Sequence, residues 1–253
     1  MTACILGQSI EGADKDLYDL RYFHADEKGT AQYSCGIARQ TLISIYRHNI
    51  PSWDPNFDKL LGMVHASPNT SVKGFLLEQL CLEIIMVKGL DFIPNAYDNA
   101  PHGPFQREFF LDTPNWSNLI HEDANHNSRL YLPKKFNYEN VDGAVLHLES
   151  RPEKLAHLYL IQVTIAMGHK ESDKLFYERQ WKEWTQWLHS HGWTVRSTFL
   201  WIDREQPANT SVARATRSLR SGEVEKNPSY NVWRTGFVPL DTRFETVFKR
   251  LLL

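Results

Sequence analysis

The sequence predicts an α/β domain, and three of its features indicate this class. Residues 70–89 carry apolar side chains at helical spacing, residues 141–149 and 157–166 form two strand-like apolar runs, and residues 171–191 form an amphipathic helix followed by a further strand. With a short strand at "RLYLP", the predicted order is α, β, β, β, α, β. At 253 residues and 42% apolar composition, the chain can bury a substantial core.

The first helix of this domain is predicted from "SVKGFLLEQLCLEIIMVKGLD". Ser71 is a candidate N-cap residue, and Gly89 is a natural stop at the other end. The apolar positions at helical spacing are Phe75, Leu76, Leu77, Leu80, Cys81, Ile84 and Ile85. They cover most of the circumference, so we expect a mostly buried helix. Glu78 lies among them.

The strands and the second helix follow a proline-rich stretch. The runs "VDGAVLHLE" and "HLYLIQVTIA" are rich in β-branched and apolar residues, and the polar segment "SRPEKLA" joins them. Next come the helix "ESDKLFYERQWKEWTQWLHSH", which ends before Gly192, and the strand "WTVRSTFLWI". After a basic segment we expect an edge strand, "YNVWRTGFVPL", and a C-terminal helix, "DTRFETVFKRLLL".

The first 68 residues are predicted to form a helical extension packed on the domain of residues 69–253. One helix is expected there, in "CGIARQTLISIYRHNI", and turn-rich sequence follows it. A helix of this length is a poor core by itself, because it has too little apolar surface to bury. We therefore expect the extension to depend on the larger domain.

Charge and cysteine content exclude several classes of protein. The 28 basic residues are matched by 30 acidic ones, so the chain has no bulk electrostatic signature of nucleic-acid or membrane binding. Any anionic partner must therefore bind a local patch. The three cysteines form no CxxC motif, which favours reduced thiols. No secretory signal and no apolar stretch of bilayer length are present, so we expect an intracellular protein without a membrane partner.

The two central strands place polar residues where apolar ones are expected. If they form a hairpin folded near Glu153, Asp142 lies opposite position 164. Gln162 and Thr164 are two residues apart, so both point to the same sheet face as Asp142. A buried amide such as Gln162 must be hydrogen-bonded or liganded. We therefore predict that the three side chains cluster at one end of the hairpin.

These residues have the chemistry of a hard-metal site. Asp142 and Glu78 supply carboxylates, Gln162 supplies an amide oxygen, and Val163 supplies a main-chain carbonyl. Mg²⁺ uses one or two carboxylates, keeps several waters and accepts phosphate oxygens, so Mg²⁺ or Mn²⁺ is the expected cofactor.

Each residue taken singly also has a structural interpretation. Glu78 fits the edge of a buried helix face, and Asp142 fits a turn residue that leads into a strand. Thr164 has high strand propensity. The interpretation as a site depends on their order along the chain.

That order resembles the PD-(D/E)xK nuclease superfamily. More narrowly, "KGFLLEQL", "NVDGAVL", "LIQVTIA" and the following "GHK" resemble the nuclease-like C-terminal domains of Crinkler and retrotransposon hot spot proteins, in which Gln-x-Thr commonly replaces the (D/E)xK triplet. The resemblance covers about residues 70–203. It implies a restriction-endonuclease-like core, with a mixed central sheet flanked by helices, and a metal-dependent nuclease that hydrolyses phosphodiester bonds, with DNA as the expected substrate.

The resemblance also implies a role for each matching residue. Asp142 would be the central metal ligand, Gln162 would occupy the second acidic position, and Glu78 would support the metal or its water. Thr164 stands where the family has lysine, and threonine cannot supply the positive charge. We expect His169 to act as the general acid or base instead, because its ordinary pKa is near neutrality.

Nucleic-acid contacts are expected from basic residues beyond the site. Lys170 and Lys174 follow His169 closely. In "ARATRSLRSG", a helix would align Arg214, Arg217 and Arg220 as a basic stripe that could contact phosphates. Lys134 and Lys135 are the next candidates.

Two other functions stay open at this point. The missing lysine is compatible with a catalytically degenerate protein of the same fold that binds nucleic acid or a host protein, as a Crinkler-like effector acting in the nucleus would. A plain interaction module is the second alternative. The sequence does not distinguish DNA from RNA and does not predict an oligomeric state.

Overall fold

The computed structural model describes residues 23–25, 31–33, 61–62, 64, 70–92, 101–120, 127–133, 138–149, 153–164, 171–203, 209–218 and 224–245. The chain divides into two compact units. The first comprises Met1–Glu83 and Arg243–Leu253, and the second comprises Ile84–Thr242.

The first unit contains a small hairpin. Strand β1 (Phe23–Ala25) pairs antiparallel with β2 (Ala31–Tyr33). The helix expected in residues 35–50 lies outside the described residues, so the helical nature of the extension stays a prediction. The proposed division of the chain at residue 68 also stays a prediction.

Helix α1 (Thr70–Lys88) confirms the first helix of the predicted order. Its predicted core positions that the structure describes, Leu76, Leu77, Leu80, Cys81, Ile84 and Ile85, are all buried. Ser71 lies inside the first turn and is not the residue that precedes the helix. Gly89 ends the helix as expected: its φ is +79°, and a Cβ there would lie 2.3 Å from the backbone nitrogen of Gly103.

The second unit is built on a mixed seven-stranded sheet. Its strands are β3 (Gln106–Phe110), β4 (Ser128–Pro133), β5 (Gly143–Glu149), β6 (Leu155–Val163), β7 (Thr194–Asp203), β8 (Asn209–Ala213) and β11 (Tyr230–Gly236). Their spatial order is β3-β4-β5-β6-β7-β11-β8. Strand β4 pairs antiparallel with β5, β5 antiparallel with β6, and β6 parallel with β7. A separate hairpin joins β9 (Thr216–Ser218) and β10 (Val224–Lys226).

Helices flank this sheet, so the predicted α/β class is confirmed. They include α2 (Ser117–Ile120), α3 (Ser172–Arg179), α4 (Trp181–Ser190) and α5 (Phe237–Leu240). The predicted order is present as α1, β4, β5, β6, α3 with α4, and β7. The sequence analysis did not predict β3 and α2, which precede β4.

Two further predictions about elements are wrong. The second helix is divided at Gln180 into α3 and α4. The strand expected at the edge over residues 230–240 is β11, and it lies between β7 and β8. The last four residues of the predicted strand, Phe237–Leu240, form α5 instead. The sequence does not show the position of β11 because β8, a strand that the sequence analysis did not predict, covers the outer side of β11.

The largest described core lies between the sheet and the helix pair α3 and α4. Side chains from alternate positions of the central strands, including Leu146, Leu158 and Phe199, meet the helix residues Phe176 and Trp184 there. Alternation along a strand directs every second side chain to this face. The opposite face is buried as well, since Val145, Ile161 and Leu200 are all inaccessible.

Candidate functional site

The candidate site lies where β5 begins and β6 ends. The pairing of Gly143 with Ile161 is the last of the described ladder between the two strands. Continued by one residue, this register places Asp142 opposite Gln162, not opposite Thr164, so the predicted register is wrong by two residues. The turn centre is therefore one residue earlier than the assumed Glu153. A shift of two residues preserves the sheet face, so the predicted cluster of Asp142 and Gln162 still forms.

The carboxylate of Asp142 binds two donors from β6. Its Oδ2 accepts hydrogen bonds from Gln162 Nε2 and from the Val163 main-chain N–H, both at 2.7 Å. The Asp142 N–H in turn donates to the Ile161 carbonyl at 2.8 Å. Asp142 and Gln162, called here the Asp142/Gln162 pair, are each half-buried. Among the residues that the structure describes, no lysine, arginine or histidine forms an ion pair with Asp142.

The spacing within this pair fits a shared divalent cation. Neighbouring ligands of octahedral Mg²⁺ lie about 2.9 Å apart, because each is about 2.1 Å from the ion. The observed 2.7 Å between Gln162 Nε2 and Asp142 Oδ2 is an ordinary hydrogen-bond length, and this bond brings the amide group as close to the carboxylate as two neighbouring ligands would be. If the Gln162 amide turns over, its oxygen replaces its nitrogen beside the carboxylate. In an extended strand the N–H and C=O of one residue point to the same side, so the Val163 carbonyl also lies on the Asp142 side of β6.

Burial changes the acidity of Asp142. Removal from water raises the pKa of Asp142 to about 7, and the Val163 N–H bond opposes this rise by favouring the charged form. In the folded protein without a bound cation, the carboxyl group therefore holds a proton at pH values where the unfolded chain has lost it.

This pKa predicts how stability depends on pH. Between about pH 4 and pH 7 the folded protein binds more protons at Asp142 than the unfolded chain, so this group makes stability fall as pH rises. We expect the free energy of unfolding of the wild type to fall by about 2–3 kcal/mol relative to Asp142→Asn across this window. Urea titrations of both proteins in buffer with a chelator measure the difference. Parallel stability curves from pH 4 to pH 8 would contradict the prediction.

Thr164 and an unpredicted acidic residue extend the site onto β7. The Thr164 N–H donates to the Ile202 carbonyl at 2.9 Å, which continues the parallel ladder beyond Val163. Thr164 therefore lies beside Asp203, the last residue of β7, and both are half-buried. Asp203 closes the apolar run "TFLWID", the kind of position that drew attention to Asp142 and Gln162 in the sequence.

A second unpredicted residue, Arg234, lies in the row of paired residues that runs across the sheet from Gln162. Gln162 pairs with Trp201 on β7, and Trp201 pairs with Arg234 on β11. Paired residues on neighbouring strands point to the same face, and the Arg234 guanidinium carbon lies 5.0 Å from the centre of the Trp201 ring. The single charged residue within "YNVWRTG" is the sequence feature that could have identified it.

Glu78 lies in the first unit, on α1, where it is half-buried and accepts a hydrogen bond from Gln79 Nε2 at 2.8 Å. Its predicted participation in the metal site stays a prediction. In the described ranges, no group of three or more His, Cys, Asp and Glu side chains is arranged to hold a metal ion. That finding does not test the predicted ligand set, which counts an amide and a main-chain carbonyl among its four ligands.

The predicted nucleic-acid-binding residues that the structure describes do not lie on one common element. Lys174 is exposed in the first turn of α3, and Arg214 is exposed between β8 and β9. Arg217 lies in β9 opposite Glu225. The predicted helix that would align the arginines is wrong for its described residues 213–218, because Ala213 ends β8 and residues 216–218 form β9, which pairs with β10. His169, Lys170, Arg220, Lys134 and Lys135 lie outside the described residues, and the nucleic-acid contacts stay predictions.

The fold and the site together define an α/β protein with a carboxylate and an amide paired at the end of a central hairpin. No protein-family model matches the sequence, and neither a curated protein nor a solved structure matches it. The assignment to the restriction-endonuclease-like fold is therefore unconfirmed. Within the part of the chain that the structure describes, no helix is long and apolar enough to cross a membrane.

Proposed function

We propose that this protein is a metal-dependent nuclease that hydrolyses phosphodiester bonds, with DNA as the expected substrate and Mg²⁺ or Mn²⁺ held by the Asp142/Gln162 pair. The observation that carries the proposal is the 2.7 Å contact between Asp142 Oδ2 and Gln162 Nε2 at the end of the central hairpin. This hydrogen bond holds the Gln162 amide beside the carboxylate, and the half-buried carboxylate has no cationic partner among the described residues.

Each residue of the site would have a separate role in the reaction. Asp142 supplies the negative charge that attracts a cation, and the Val163 N–H fixes the orientation of its carboxylate. Gln162 offers an amide oxygen, and the Thr164 hydroxyl has the chemistry to donate to a water or a phosphate oxygen. A bound Mg²⁺ would polarise the phosphate and lower the pKa of its water. His169 stays the expected general acid or base.

Hydrolysis with defined metals tests this proposal. Purified protein is incubated with single-stranded DNA, double-stranded DNA and RNA of mixed sequence, in Mg²⁺, in Mn²⁺ and in chelator. We expect cleavage in Mg²⁺ or Mn²⁺ and none in chelator. Calorimetric titration with Mn²⁺ should show one site in the wild type and none in Asp142→Asn. Absence of cleavage of all three substrates in both metals would overturn the proposal.

One observation favours the alternative of a catalytically degenerate binder. Both hydrogen bonds to Asp142 Oδ2 come from β6, so the carboxylate also closes the end of the hairpin without any metal. A protein that uses Asp142 only in this way would bind nucleic acid or a host protein and would leave phosphodiester bonds intact. Nucleic-acid binding without cleavage, together with absent Mn²⁺ binding, would support this alternative.

A further inference from the structure

Arg234 has an unusual environment for an arginine within a sheet. Its side chain is half-buried on β11, and its guanidinium lies over the ring of Trp201. Among the described residues, it forms no ion pair with a carboxylate. This cation–π contact does not use the guanidinium N–H groups in a hydrogen bond to an oxygen, so they stay available to an acceptor.

The position of Arg234 relates it directly to the Asp142/Gln162 pair. The register places Gln162, Trp201 and Arg234 on three adjacent strands and on one face of the sheet. Neighbouring strands lie about 4.8 Å apart, so the backbone of Arg234 is about 10 Å from that of Gln162. The long arginine side chain can cover much of this distance. All of these residues belong to the second unit.

The charge of this row is complementary to a phosphodiester. A cation at the Asp142/Gln162 pair would bind one phosphate oxygen, and a nucleic acid carries further phosphates along its backbone. Arginine binds phosphate through paired N–H bonds and stays charged throughout the physiological pH range. Thr164, beside Asp203, brings no positive charge to the site.

We propose that Arg234 binds a phosphate group of the nucleic-acid substrate next to the phosphate held at the Asp142/Gln162 pair. This inference rests on the proposed function for the identity of the substrate. Contact with the Trp201 ring restricts the Arg234 guanidinium, so the side chain loses less conformational freedom when it binds phosphate. Gln162, Trp201 and Arg234 would therefore belong to one nucleic-acid-binding surface across β6, β7 and β11.

Substitution of Arg234 tests this inference by two independent measurements. The first is nucleic-acid affinity as a function of salt, measured by fluorescence anisotropy in Ca²⁺ so that the strand stays intact. With double-stranded DNA, Arg234→Gln should reduce the slope of log affinity against log salt by about 0.9, as expected for one lost phosphate contact. Arg234→Lys keeps the charge, so its slope should equal that of the wild type. The second measurement is kcat/KM in Mg²⁺, which should fall about tenfold or more in Arg234→Gln.

Arg107 provides a matched control. It lies on β3, an edge strand four strands away from β7, and its guanidinium lies over the ring of Phe109 at 5.5 Å. Arg107→Gln removes an equal charge and an equal type of ring contact, and it should leave the salt slope and kcat/KM unchanged. Equal melting temperatures of the variants would show that Arg234 acts on the substrate and not on the fold.

The outcomes separate this inference from the proposed function. If the wild type cleaves and Arg234→Gln shows wild-type slope and kcat/KM, the Arg234 inference fails and the nuclease proposal stands. If the wild type binds but never cleaves, the nuclease proposal fails, and the salt slope alone supports or overturns the role of Arg234. Absence of any nucleic-acid binding by the wild type would overturn both.

Discussion

Asp142→Asn should lower Mg²⁺-dependent cleavage by about a thousandfold or more. In the proposed site this residue supplies the only carboxylate of the Asp142/Gln162 pair, and metal-based charge stabilisation contributes several kcal/mol to such a reaction. The asparagine oxygen can still accept the bonds now made by Gln162 Nε2 and the Val163 N–H, so the fold should persist. Initial rates on a labelled DNA strand measure the loss.

A second carboxylate on the same hairpin provides the control. Glu149 lies at the other end of β5, where its carboxylate is 3.4 Å from His157 Nε2 and 3.6 Å from His147 Nε2. Glu149→Gln removes a carboxylate from the same strand but should leave the rate within about twofold, since charges separated by more than a Debye length are largely screened at physiological salt. Equal rates for Asp142→Asn and the wild type would exclude Asp142 from catalysis.

Trp184→Ala should lower the free energy of unfolding by about 3–5 kcal/mol, the usual cost of truncating a buried aromatic side chain. Trp184 is 1% exposed, and its ring meets those of Phe110 and Phe176 edge to face at 5.3 and 5.0 Å. Its main-chain carbonyl also accepts a 2.7 Å bond from Trp116 Nε1. Removal of the ring would leave a cavity where helix α4 meets β3 and α3. Urea denaturation followed by circular dichroism measures the change.

Trp187 lies three residues farther along the same helix and is the matched control. It is half-exposed and stacks on His191, with 4.0 Å between the ring centres. Because its ring is only partly removed from water, Trp187→Ala should cost about 1 kcal/mol. Similar losses for the two variants would mean that the core of the second unit does not depend on the contact between α4 and the sheet.

Helix α1 and the central strands of the sheet could be predicted from local pattern. The buried helix α1 follows from apolar residues on most of its circumference, and its end follows from Gly89. Strands β5 and β6 follow from continuous apolar runs, because both of their faces are buried. These features depend on residues close together in the chain, so local physical rules are sufficient to detect them.

The register of the central hairpin shows the limit of local pattern. A polar loop fixes neither the turn type nor the turn centre, so the sequence allowed pairings that differ by two residues without changing the sheet face. The contact between Asp142 and Gln162 requires only that both side chains lie on the same sheet face and that the two strands pair within about two residues of the correct register. Only the observed pairing of β5 with β6 shows that Gln162, and not Thr164, lies opposite Asp142.

By itself the sequence determined that Asp142 and Gln162 come together, because one short hairpin joins the strands that carry them. Only the tertiary structure decided that Arg234 lies in the same row of the sheet as Gln162 and that Asp203 lies beside Thr164. Strands β7 and β11 reach β6 through parallel pairing, after long connections whose pattern holds no information about neighbours or register. The same pairing, which satisfies backbone groups between strands, placed β11 inside the sheet and formed β9, which contains Arg217, where a helix was expected.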